Sequence, residues 1–199
     1  MQTAQSHATL FDAVSAEGSS ARPAYLAGAM LLGVCLLTLS AKIQVPFWPV
    51  PMTMQTLVVF MLGTAYGARL GAATVLAYLL AGAAGLPVFA GTPERGIGLA
   101  YIMGPTGGFL FGFLVAAWIT GALAERGWDR PIVWCAMAML IGTVALYVVG
   151  LAVLMPYVGV WRAIEVGLLP FVASSTLKIG LGAVAMPLIW RLVHRQQTG

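Results

Sequence analysis

Charge is scarce in this chain: only 8% of its 199 residues are Asp, Glu, Lys or Arg. Soluble domains carry about 25%, so there is too little here to cover a water-facing globule. Cysteine is limited to Cys35 and Cys135, both inside apolar runs. That excludes a disulfide framework and points to packing. The two histidines, His7 and His194, lie in the tails. A buried His-based catalytic or metal centre is therefore not expected, and neither is a cofactor. No glycine-rich loop is followed by GKS or GKT, so the chain shows no nucleotide site of its own. Residues 1–22 lack a basic segment followed by an apolar core and are not expected to be a signal peptide.

Apolar residues are abundant. They make up 60% of the sequence, with a mean hydropathy of +0.93, the composition of a polytopic membrane protein. Six spans of ~20 residues use about 120 residues and leave room for a tail and loops only. The expected organisation is a mobile cytoplasmic tail over 1–22 and a single all-α, six-helix membrane domain over 23–195. The net charge of +4 comes from Lys and Arg clustered at span ends, so it reports topology, and no nucleic-acid partner is expected.

The first span is expected over 23–41. Its small residues four apart, Ala24 with Gly28 and Ala29 with Gly33, permit close helix approach, inside the bundle or against a partner. Pro46, Pro49 and Pro51 forbid a continuous helix over 42–51, and Phe47 and Trp48 suit an interface. A short second span runs from about 52 to 66, with Thr53, Gln55 and Thr56 in its first turn. A turn at Gly67 leads to a third span ending near 84. A fourth is expected over 105–125, a fifth over 132–154, a loop over 155–169, and a last span over 170–193.

Orientation follows from the basic residues. Arg22, Arg69, Arg126, Arg130, Arg191 and Arg195 fall on the side of both termini, and Lys42, Arg95 and Arg162 on the other. The positive-inside rule then puts both termini in the cytoplasm. The stretch 85–108, GLPVFAGTPERGIGLAYIMGPTGG, becomes extracytoplasmic. Rich in glycine and broken by Pro87, Pro93 and Pro105, it cannot cross lipid with its backbone unpaired. It is also apolar and aromatic. It is expected to fold back as a structured loop, either simply packed or lining a cavity. The proline-rich segment and the start of the last span converge on the same side.

Lys178 lies about two turns inside the last span, in PFVASSTLKIGLG. An ammonium there must find acceptors or snorkel to the interface. Ser174 and Ser175 precede it by about one turn, which favours a polar pocket.

With PVPMTMQTL at 49–57, AGLPVFAG at 84–91, GPTGGFLFGF at 104–113, and PF with the lysine over 170–178, the chain resembles the BioY family. These are the biotin-binding S components of energy-coupling-factor transporters. Four motifs in order, spread over 46–182, make the resemblance specific. It implies a multi-pass protein of the bacterial inner membrane that is not an enzyme. It would capture biotin from outside and work with a T component and two ATPase subunits. A ligand set of Thr53, Gln55, Phe89, Gly91, Arg95, Tyr101, Ser175 and Lys178 follows, with Ala29 and Gly33 as partner interface. Where the family commonly has Gly-Asp before the lysine, this chain has Ser174-Ser175. The alternative is an S component or facilitator for another small vitamin. An intramembrane enzyme is disfavoured, because no Ser–His or Asp–Asp constellation shares a depth.

Overall fold

Long apolar runs punctuated by glycine and proline form helices whose ends fall near those breakers. The computed structural model describes residues 9–14, 22–45, 50–94 and 96–197. In chain order these form α1 (Leu10–Val14), α2 (Arg22–Lys42), β1 (Gln44–Val45), β2 (Met52–Thr53), α3 (Gln55–Ala83) and α4 (Leu99–Ile102). There follow α5 (Gly107–Ala124), α6 (Ile132–Val158), α7 (Val160–Gly167) and α8 (Leu169–Gln197). Among the described residues, five helices are long and apolar enough to cross a membrane.

One of these, α3, folds back on itself. Gly67 takes φ 80°, ψ 176°, a conformation that only glycine adopts readily. A Cβ built on Gly71 would lie 3.0 Å from the Gly63 Cα. Along a straight helix those residues stand about 12 Å apart, so the two arms run antiparallel in direct backbone contact. The second arm begins with its N–H groups unpaired. The Glu125 carboxylate, from the end of α5, accepts from Ala68 N–H at 2.8 Å, which suits the positive end of a helix. Gly121 lets α5 press onto this corner, since a Cβ there would lie 2.4 Å from Ala68 N.

The arms of α3 sit at the centre, between α2 and α5, with α6 and α8 closing the bundle. Buried threonines need no external partner. Thr64, Thr74, Thr120 and Thr143 donate to the carbonyl four residues back, at 2.7–2.9 Å.

Several expected boundaries shift. Met52–Thr53 is a strand rather than a helix start, paired antiparallel with β1 in the register Gln44↔Thr53. The segment 155–169, expected as a loop, is mostly helical. α6 continues through Pro156 to Val158, and after Gly159 (φ 84°) α7 follows. Ala163, Val166 and Gly167 face inward on α7 while Trp161 and Arg162 are exposed. That is an amphipathic surface helix too short to show against its Pro and Gly flanks. Within the expected tail, α1 packs on α3, and Thr9 and Asp12 cap each other reciprocally (3.2 and 3.3 Å).

Candidate functional site

On α8, Phe171, Ser175 and Lys178 are all buried and share one face at i, i+4 and i+7. Burial of an ammonium demands acceptors. Lys178 Nζ donates to the Thr53 carbonyl at 2.7 Å and to Thr56 Oγ1 at 3.3 Å. Among the described residues no carboxylate lies within ion-pair reach of Lys178. The expected pocket forms, and its acceptors come from the end of β2 and the first turn of α3.

A cavity of about 50 Å³ opens beside this lysine. Thr53, Thr56, Tyr147 and Lys178 give it a polar end, Phe109, Phe113 and Phe171 its aromatic walls, and Val50 and Pro51 a cover. The Tyr147 hydroxyl lies 2.7 Å from Ser175 Oγ. Its ring meets Phe109 edge-on, with centroids 6.4 Å apart at 83°.

A second cluster holds the glycine-rich loop. Phe89 is fully buried, stacked on Tyr101 (4.9 Å, 24°) and edge-on to Tyr78 (5.4 Å, 80°). It occupies a notch that exists because residue 82 is glycine: a Cβ there would come within 2.0 Å of the Phe89 ring. Tyr101 donates to the Ala90 carbonyl at 2.7 Å and Tyr78 to that of Val88 at 3.0 Å. Gln55 Nε2 donates to the Tyr78 hydroxyl at 2.8 Å. From the end of α2, Lys42 donates to Phe89 O and Thr92 Oγ1, both at 3.1 Å. Gly91 supplies a left-handed turn at φ 70°.

The predicted ligand set thus divides in two. Lys178, Thr53 and, through Tyr147, Ser175 gather at the cavity. Gln55, Phe89, Gly91 and Tyr101 organise the loop and are not among the side chains that line the cavity. Thr53 joins the two groups, its carbonyl taken by Lys178 and its hydroxyl 3.4 Å from Gln55 Oε1. Arg95 and Trp48 lie outside the described residues. Of the small residues on α2, Gly33 is buried against α3, where a Cβ would sit 2.4 Å from Thr74 Cγ2. Ala29 is half-buried and its carbonyl accepts from Tyr66 at 3.0 Å. Ala24 and Gly28 are exposed. Tyr147, Tyr78 and Lys42 were not singled out by sequence. The available signal for Tyr147 was a hydroxyl-bearing side chain in the middle of a strongly apolar span.

The BioY family model matches residues 15–195. A biotin transporter BioY of Thermotoga maritima is 38% identical over 150 residues, covering 75% of this chain and 86% of that protein. A second, from Rhizobium etli, is 38% identical over 159 residues, 76% and 83% of the two chains. Among solved structures, the S-component for biotin from an ECF-type ABC transporter superposes with a TM-score of 0.70 at 20% identity. The match covers 91% of this chain and 95% of that one, a likeness of fold.

Proposed function

The chain belongs to the BioY family, and from that premise we propose that it takes up biotin, binding it in the cavity beside Lys178. Biotin combines a ureido ring, an apolar thiophane ring and an anionic valerate. A site for it needs hydrogen-bonding groups at one end, apolar walls and a cation. The observation that carries the reading is the Lys178 ammonium, buried at the polar end of an aromatic-walled cavity. Lys178 donates to the ureido carbonyl, and Phe109, Phe113 and Phe171 pack on the rings.

The cavity of about 50 Å³ falls well below the ~300 Å³ of the smallest usual ligand sites. Admission of biotin therefore requires a wall to move. The stretch Val50, Pro51 and Thr53 is the natural one, because the other lining residues lie on packed helices.

In this reading the two arms of α3 cross separately, making six crossings, and the balance of basic residues favours both termini on the cytoplasmic side of a bacterial inner membrane. The arms are about 18 and 24 Å long, with β2 leading into the first and the turn at Gly85 following the second. The protein performs no covalent chemistry in this reading. A T component and ATPase subunits supply the energy, docking on an exposed α2 face of Ala24 and Gly28 with Ala29 at its edge. Purification in detergent followed by mass spectrometry for co-purified biotin, and titration with a vitamin panel, tests the reading. Binding of another vitamin in preference to biotin would overturn it.

A further inference from the structure

We propose that the Tyr147 hydroxyl, held by Ser175, accepts a ureido N–H of the ligand and so sets selectivity for an unsubstituted cyclic urea. The inference rests on the biotin reading and deepens it. An ammonium only donates. Lys178 therefore answers a ureido carbonyl, but an N–H group beside it needs an acceptor, since burying it unpaired is costly.

The oxygens along the polar end of the cavity are few. The Thr53 carbonyl and Thr56 Oγ1 accept from Lys178, and the Thr53 hydroxyl meets Gln55. Among the polar side chains of the lining residues, Tyr147 carries the hydroxyl engaged by neither, and its partner is Ser175.

The partner of Tyr147 is equally informative. Hydroxyls in helices commonly bond the carbonyl four residues back, as Thr176 does to Val172 and Thr143 to Met139. Ser175 instead bonds across to α6, one turn before Lys178. When two hydroxyls pair, one hydrogen and one lone pair are used. Lone pairs on both oxygens and one O–H remain. Either oxygen can donate within the pair, so Tyr147 is able to present an acceptor to the ligand while Ser175 holds it. A carboxylate at 175 would only accept; this pair does both. Phe109, edge-on to Tyr147, fixes the ring so that the hydroxyl stays at the cavity wall.

Titration calorimetry on the detergent-purified full chain tests this, with biotin and a biotin methylated on a ureido nitrogen as probes. Tyr147→Phe is expected to weaken biotin about tenfold, one neutral hydrogen bond at 1.4 kcal/mol per decade. The preference for biotin over its N-methyl derivative should shrink by a similar factor, because the variant no longer rewards the free N–H. Ser175→Ala should cost less, and the double variant no more than Tyr147→Phe alone, since the two hydroxyls act as a unit. A purely structural role would lower the unfolding temperature and leave the preference unchanged. That outcome, or fully additive losses, overturns the proposal while the biotin reading stands. A wild type that binds no biotin overturns the reading, and this inference with it.

Discussion

Lys178 reaches from the last helix to the backbone of Thr53, 125 positions earlier, and donates to its carbonyl at 2.7 Å. The same ammonium that is proposed to meet the ligand therefore ties down β2, beside Val50 and Pro51 over the cavity. Ligand and cover share one ammonium, which has three N–H groups and gives two of them to Thr53 O and Thr56 Oγ1. Lys178→Met, which keeps the length and removes the charge, should loosen the β1–β2 pairing and Met54 without any ligand. Hydrogen–deuterium exchange should be faster at the β1–β2 amides and at Met54, whose N–H donates to Ile43 O. Unchanged exchange there would show that the strands hold without the lysine.

The corner at Gly67 offers a test of the fold. A side chain at φ 80° is strained, and a Cβ would lie 2.7 Å from Glu125 Oε1. Gly67→Ala should cost about 1–3 kcal/mol, and Glu125→Ala about 0.5–2 kcal/mol through loss of the helix-start acceptor. Gly28→Ala, with nothing within 4 Å, serves as the neutral control. Thermal unfolding in detergent should rank the three in that order.

How far the sequence led can be read at particular residues. Lys178 stood out because a charge inside an apolar run has few explanations, and Gly67 because a turn between two short spans needs a residue free to reverse the chain. Both observations are local. Gln55 shows the opposite case. It was placed in the ligand set, but its partner Tyr78 lies 23 positions away, and helix periodicity does not say which faces meet across a hairpin. Tyr147 was missed for the same reason, its partner lying on another helix. Gly33 and Gly28 look alike in sequence. Only the packing of α2 on α3 separates the buried one from the exposed one.

That separation predicts two different phenotypes. Gly28→Trp should leave biotin binding and the unfolding temperature of the isolated protein unchanged, yet abolish co-purification with the T component and ATP-driven uptake. Gly33→Trp should destabilise the isolated protein, because it drives an indole into Thr74 and Leu62. If Gly28→Trp assembles and transports normally, the partner docks elsewhere.

Asp129, in the turn between α5 and α6, is 1% exposed, accepts from Trp190 Nε1, and leaves Oδ1 without a partner. Burial raises its pKa above the usual carboxylate value, against the opposing hydrogen bond from Trp190 and the charge of Arg130. An acid whose folded pKa is raised binds its proton more tightly in the folded state. Its contribution is therefore most favourable at low pH and is lost as pH rises through the folded pKa. Asp129→Asn should remove this dependence, so that the variant gains stability relative to wild type as pH climbs from the carboxylate range to neutrality. Unfolding temperatures across that range check the sign, and a constant difference would contradict it.

The central claim is that Lys178 contacts biotin. A charge-assisted hydrogen bond contributes about 1.5–3 kcal/mol, so Lys178→Ala should weaken biotin roughly 10- to 150-fold at 1.4 kcal/mol per decade. Titration calorimetry of the purified wild type and variant, with folding checked by size-exclusion chromatography, measures this directly. Ser175→Asp, which places a carboxylate one turn before the lysine, should retain binding in the same assay. The predicted result is tight binding by wild type and a loss within that range for Lys178→Ala; equal affinity in a folded Lys178→Ala protein would contradict the assignment of this cavity as the biotin site.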